Sequence, residues 1–194
     1  MSDFSAAFAR TMGHEGGYAN NPRDNGGETY KGIARQRHPK WSGWAIVDGV
    51  KSNMVKQPFY GTPEYSRWVA YLNSQLAGSP LLQKSVSEFY RINFWVAGIE
   101  DQRLAEELFD KRVNCGDIAL RWMQRAAKVS ADGVIGPKSL SAINAAEPSA
   151  LLTEFNAAAR QYYESIIARD PSQEIFRHSW FARLKNYDDT PYAA

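Results

Sequence analysis

The chain has 194 residues, 23 Lys plus Arg against 21 Asp plus Glu, one cysteine and 44% hydrophobic residues, which bounds it to a globular protein of one domain or two small ones. A net charge of +2 gives no electrostatic surplus for a polyphosphate duplex, so nucleic acid is not expected as the partner. The single cysteine, Cys115, excludes an intrachain disulfide and a multi-cysteine zinc site, which fits folding in a reducing cytoplasm.

The N-terminus, Met1-Ser2-Asp3-Phe4-Ser5, has neither a basic n-region nor an apolar h-region, and no run approaches the length that spans a bilayer. Membrane insertion is therefore not expected. If the protein works outside the cytoplasm, a separate route must release it.

From Asp3 to Glu15, Phe4, Ala7, Phe8, Thr11 and Met12 recur at helical steps, with Ser2 as expected N-cap and Gly16-Gly17 as the stop. Residues 16–32 then carry five glycines, Pro22 and Asn20-Asn21-Pro22-Arg23-Asp24-Asn25-Gly26-Gly27, the chemistry of a small hairpin or ordered loop. Trp41 to Pro80 shows patchy periodicity, read as loops and short helices.

Helical spacing returns through Val86, Phe89, Tyr90 and Phe94 to a break at Gly98. It resumes through Leu104, Leu108, Phe109 and Val113 to Asn114-Cys115-Gly116, and again from Ile118 to Ala126. Asp132-Gly133-Val134-Ile135-Gly136-Pro137 reads as a turn with Pro137 opening a helix. Leu151, Leu152, Phe155, Ala159, Tyr162, Tyr163 and Ile166 make one long apolar stripe after Pro148, and a last helix carries Phe176, Trp180, Phe181 and Leu184. The expected fold is mainly α, a helical body with a small Gly-rich hairpin or loop inserted after the first helix.

No dinucleotide, P-loop, nucleophile-elbow or zinc-peptidase motif occurs, and His14, His38 and His178 are too scattered for a metal cluster. No cofactor and no metal are expected. What remains is Glu15 at a helix end and Asp24 on a Gly-rich turn, nine positions on. Two carboxyls facing each other across a cleft are the minimum kit for cleaving a glycosidic bond, one protonated and one ionised. The negative end of a helix dipole favours a protonated Glu15 as acid, and free N–H groups of a turn favour an ionised Asp24 as base. Thr29 offers a hydroxyl for the attacking water. On spacing alone, the same residues also read as an ordinary helix end and an ordinary turn.

Tyr18 and Tyr30 are candidates for stacking on sugar rings, with Trp41 and Trp44 nearby. The stripe Phe155, Tyr162, Tyr163 is core by its periodicity, His14 points away from Glu15, and Cys115 reads as a packing residue.

Glu15-Gly16-Gly17-Tyr18 followed by Asn21-Pro22-x-Asp24-x-Gly26-Gly27-x-Thr29-x-x-Gly32-Ile33 closely resembles the glycoside hydrolase family 108 muramidases, prophage-type lysozymes sometimes called secretion activators. The resemblance implies a lysozyme-like fold, an essential Glu15, and hydrolysis of the β-1,4 bond between N-acetylmuramic acid and N-acetylglucosamine. The order Glu15, Asp24, Thr29 also resembles phage-type lysozymes that invert the anomeric centre, which implies a carboxyl separation of about 6.5 to 9.5 Å.

The second half is similar to the predicted peptidoglycan domain that accompanies this catalytic region, through Asn114-x-Gly116, Asp132-Gly133-x-x-Gly136-Pro137 and the late Phe176, Trp180, Arg183. The implied division is a catalytic region over 1–98 and a wall-binding region over 99–194, with packing into one compact body left open. The implied partner is the glycan strand of peptidoglycan, acted on by a monomer. Cytoplasmic synthesis would be followed by release through a holin or a secretion machinery to the periplasm or cell wall. A lytic transglycosylase and a non-catalytic wall-binding or secretion-accessory protein are the competing readings.

Overall fold

The computed structural model describes residues 1–13, 16–22 and 27–188. Its helices are α1 (Phe4–Met12), α2 (Gly43–Ser52), α3 (Pro63–Ala77), α4 (Pro80–Phe94), α5 (Gln102–Cys115), α6 (Ile118–Ala126), α7 (Pro137–Ala145), α8 (Pro148–Arg169) and α9 (Arg177–Asp188). Three short strands, β1 (Tyr18–Asn20), β2 (Glu28–Tyr30) and β3 (Ile33–Ala34), form an antiparallel sheet in the order β1-β2-β3. The fold is mainly α, with the Gly-rich segment after the first helix folded as a three-stranded meander.

The chain divides into two compact units, Phe8–Asn93 and Met1–Ala7 with Phe94–Ala194. The first seven residues thus belong with the later helices. Ser2 is not the N-cap of α1. Its hydroxyl donates to the Ile99 carbonyl at 2.8 Å, while the Asp3 carboxylate accepts from the Ser5 N–H at 2.7 Å and satisfies the helix start. Phe4 lies edge-on to Trp95 and Phe109, each at 5.6 Å between ring centres.

The core of this helical unit gathers Leu104, Leu108, Met123, Ile143, Leu151, Phe155 and Tyr163. Proline opens α7 and α8 at a position where its missing N–H costs nothing. Gly116, with φ of 77° and ψ of −161°, ends α5 in an extended positive-φ conformation open to glycine. The Asp132–Pro137 turn is knitted to α6. Gln124 donates to Asp132 (2.7 Å) and the Val134 carbonyl (3.0 Å), and accepts from the Gly133 N–H (2.8 Å). Cys115 is partly buried with its sulfur 3.3 Å from the Tyr163 hydroxyl, and burial raises its pKa.

In the sheet-bearing unit the region between Trp41 and Pro80 is more regular than its sequence pattern suggests. α3 runs 15 residues, capped by Thr62 and started by Pro63, and buries Tyr65, Trp68, Leu72 and Leu76 at steps of three and four. The loops and short helices expected there give way to a long helix with an apolar face at three- and four-residue steps, half of it aromatic, and the polar atoms of both rings are satisfied by backbone carbonyls. The Trp68 Nε1–H donates to the Val55 carbonyl at 3.0 Å and the Tyr65 hydroxyl to the Asn20 carbonyl at 2.9 Å.

Candidate active site

β1 and β2 pair with Tyr18 opposite Tyr30, Ala19 opposite Thr29, and Asn20 opposite Glu28. Alternation in a strand sends Tyr18, Glu28 and Tyr30 to one face and Thr29 to the other. Tyr18 and Tyr30 are 3% and 1% exposed, so neither ring offers an open face on which a sugar could stack. They anchor the sheet from beneath instead: Tyr18 lies edge-on to Trp68 at 6.0 Å, and the Tyr30 hydroxyl accepts from Gln83 at 3.0 Å. Thr29, on the opposite face, is only partly buried.

Gly17 and Tyr18, two and three positions after Glu15, are held against α3. The Tyr18 N–H donates to the Asn73 side-chain oxygen of α3 at 2.6 Å, and a Cβ placed on Gly17 would lie 2.2 Å from that same oxygen. Only glycine lets the chain pass so close. This explains the second glycine of Glu-Gly-Gly-Tyr by packing against a residue 56 positions away.

Gly27 has φ of 61°, and a Cβ there would meet the Gln36 amide at 2.8 Å. Lys31 and Gly32 form the two-residue link between β2 and β3 with φ of 44° and 77°, the positive pair of a type I′ hairpin turn. A lysine in that region is strained, and α4 holds it there. Tyr90 donates to the Lys31 carbonyl at 2.7 Å, and the Lys31 ammonium donates to Gln83 at 2.9 Å.

Glu28, unremarked in the sequence pattern, is the centre of a polar network. Its carboxylate accepts from the Tyr18 hydroxyl (2.8 Å), the Lys51 ammonium of α2 (2.6 Å) and the Arg35 guanidinium (2.8 Å). Arg35 also reaches Asp48 at 2.5 Å and lies 4.6 Å over the Trp44 ring. Burial and the adjacent Glu28 carboxylate push the Tyr18 phenol far above its ordinary pKa, so it stays protonated, donating to Glu28 while accepting from the Lys51 ammonium at 3.2 Å. Burial opposes the charge on Arg35, but Asp48 and Glu28 outweigh it and raise its pKa.

No motif spacing could have found this group: Arg35 directly follows β3, but Asp48, Lys51 and Asn73 meet the sheet only through the packing of α2 and α3. Trp41 is partly buried, edge-on to Trp44 (5.1 Å) and Phe89 (6.2 Å), and its Nε1–H donates to the Ser85 carbonyl. Its other edge covers Gly43, so much of the ring is engaged in packing.

His14, Glu15 and Asp24 lie outside the described residues. Among the described residues no group of three His, Cys, Asp or Glu could hold a metal ion, and no helix is long and apolar enough to cross a membrane.

A mainly helical chain with a small antiparallel sheet behind its first helix, its turns fixed by glycines and a polar network, is lysozyme-like. The model of glycosyl hydrolase 108 matches residues 8–116, more than half of the sequence, and the chain belongs to that family. It is a glycoside hydrolase. A second model, described as a predicted peptidoglycan domain, matches residues 118–185, and peptidoglycan is the substrate class.

Among solved structures the chain is similar to that of Brucella abortus SagA, at 22% identity, with 95% of this chain and 90% of that one covered and a TM-score of 0.61. At that identity the likeness is one of fold. No curated protein matches the chain.

Proposed function

We propose that the protein is an N-acetylmuramidase that hydrolyses the β-1,4 bond between N-acetylmuramic acid and N-acetylglucosamine, with Glu15 protonating the leaving oxygen. Asp24 acts as base toward water on the opposite face of the sugar, and the Thr29 hydroxyl holds that water. The carboxyl separation this requires is about 6.5 to 9.5 Å, and the product is inverted at the anomeric centre.

The observation that supports this reading is that the chain is anchored on both strands that bound the carboxylate-bearing segments: the Tyr18 N–H is bonded to Asn73, and Glu28 is paired with Arg35 and Lys51. Acid–base catalysis needs both groups held at set positions, and rigid neighbours supply that. Thr29 stands on the less buried face of β2 while Tyr30 locks the other.

In the same reading, residues 1–98 form the catalytic region and 99–194 the wall-binding region. The chain acts as a monomer, without metal or organic cofactor, on glycan strands in the periplasm or cell wall, after release by a holin or a secretion machinery.

The test is digestion of purified peptidoglycan by wild type, Glu15→Gln and Asp24→Asn, with folding checked by circular dichroism. Released fragments should carry new reducing N-acetylmuramic acid ends, and Glu15→Gln should lower the rate by about 10²–10⁴-fold. Anhydro ends with a tolerated Asp24→Asn would instead identify a transglycosylase. Retention on the wall with no release by folded wild type would leave a binding or accessory protein.

A further inference from the structure

The large apolar side chains of the sheet-bearing unit are mostly buried, yet four exposed ones come from one neighbourhood. Val55 is 78%, Phe59 89%, Tyr60 45% and Tyr71 56% exposed. The loop before α3 and the outer side of that helix enclose a cleft of about 530 Å³, lined among others by Met54, Val55, Pro58, Arg67, Trp68 and Tyr71. We propose that this cleft, with Tyr60 on the loop that leads into α3, is a subsite for sugar rings of the glycan strand beyond the bond that is cut. The inference rests on the reading that the chain acts on peptidoglycan glycan.

A pyranose ring has an apolar C–H face and a polar edge, so its receptor needs an aromatic surface beside hydrogen-bonding groups. Both are here. Tyr71 and Tyr60 supply partly open aromatic rings, and Trp68 forms part of the wall. At the rim Arg67 is paired with Glu64 at 2.8 Å, with 75% and 60% of the two side chains exposed, leaving donors and acceptors open to hydroxyl and N-acetyl groups.

The loop is also preorganised, which reduces the entropy lost on binding. The Val55 carbonyl accepts from Trp68, the Phe59 carbonyl accepts from the Thr62 hydroxyl at 2.8 Å, and Tyr60 packs edge-on to Tyr65 at 5.1 Å.

The cleft backs onto the strand that carries the Glu-Gly-Gly-Tyr motif. Trp68, part of its wall, meets Tyr18 of the Glu-Gly-Gly-Tyr motif on its other side, and Tyr65 stacks on Trp68 while its hydroxyl holds the Asn20 carbonyl. Asn20 is the last residue of β1, four positions before Asp24. The buried Tyr18 and Tyr30 brace the sheet, and the exposed Tyr60 and Tyr71 are the rings free to stack.

The test uses the full chain carrying Glu15→Gln, so that ligand persists, titrated calorimetrically with a β-1,4 N-acetylglucosamine hexamer and with solubilised glycan strands. Tyr71→Ala and Tyr60→Ala should each weaken binding about fivefold, and Tyr71→Phe should stay within about twofold, since the ring face carries the contact. Tyr71 lies on the exposed side of α3, so its replacement should leave the circular dichroism and melting temperature unchanged.

Unchanged affinity in both alanine variants, or no binding of either glycan by the folded parent, would overturn the subsite. Turnover is read separately on the chain with Glu15 intact. Tyr-dependent binding without hydrolysis would sustain the cleft while refuting the muramidase.

Discussion

The two units handle buried charge in opposite ways. In the sheet-bearing unit Glu28, Arg35 and Lys51 keep 12%, 31% and 24% of their side chains exposed, so solvent still shares the cost of bringing the charges together. In the helical unit the Lys111 and Glu107 side chains are 0% exposed and Asp110 4%, with the ammonium 2.9 Å from Glu107 and 3.4 Å from Asp110. Arg183 adds a further contact to Asp110 at 3.1 Å. The first network ties β2 to α2 and to the residue after β3. The second is locked inside helix packing, where a charge without its partner is very costly.

Removing the buried ammonium should therefore be the most damaging single change. Lys111→Ala leaves two carboxylates without it in the core and is expected to cost about 3–5 kcal/mol, read as a fall in the urea midpoint followed by circular dichroism. The pH dependence sharpens the same point. Burial disfavours the Lys111 ammonium, but Glu107 and Asp110 outweigh that and lift its pKa above the ordinary 10.5. Burial, with Cys115 beside it, likewise raises the Tyr163 phenol above its ordinary 10.0.

Both groups hold their protons more tightly folded than unfolded. The stability they contribute is complete below about pH 10 and is lost as the pH rises through the folded values. Urea midpoints measured between pH 8 and 11 should fall at the alkaline end, and a flat profile would refute the assignment. Tyr163→Phe should reduce that fall.

In the sheet-bearing unit the corresponding changes should be milder in stability and sharper in function. Gly17→Ala forces Asn73 away from the Tyr18 N–H, at about 1–3 kcal/mol for the donor left unpaired. Displacement of the segment that follows Glu15 should also lower the rate of peptidoglycan release by at least about tenfold, because small misplacements of catalytic groups are expensive. Glu28→Gln keeps the shape but removes the charge shared by Arg35 and Lys51. An expected loss of about 1–2 kcal/mol would separate this half-exposed network from the buried one in a thermal melt.

Much of the helical unit was legible in the sequence because its elements announce themselves locally. Leucines fall at helical steps, Pro137 and Pro148 stand at helix starts, and Gly116 ends α5 at a positive φ. The turn glycines of residues 16–32 were legible too, as punctuation. What could not be read was why each is there, since the Gly17 constraint comes from Asn73 and the strain at Lys31 is held by Tyr90 and Gln83.

The aromatic residues were the least legible. Tyrosine has no sequence signature that separates a buried ring from a surface one, so Tyr18 and Tyr30 read as sugar platforms by sequence, and Tyr60 and Tyr71 lie in a region without clear period. Asp3 displaced Ser2 as cap for a related reason. Both are good capping residues, and the Ile99 carbonyl that engages Ser2 is 97 residues away.

The smallest change bears on the join between the cleft and α3. The Thr62 hydroxyl accepts from the Tyr65 N–H at 3.1 Å and donates to the Phe59 carbonyl at 2.8 Å, so one side chain caps the helix and fixes the loop. Thr62→Ala should cost about 1 kcal/mol, lowering the melting temperature by about 2–4 °C in a chain of this size. Thr62→Ser retains both hydrogen bonds and should recover most of that. If the cap only stabilised the helix, glycan affinity would stay constant across the three proteins. A fall in affinity for Thr62→Ala, restored by Thr62→Ser, would show that the loop binds because it is held in place before the sugar arrives.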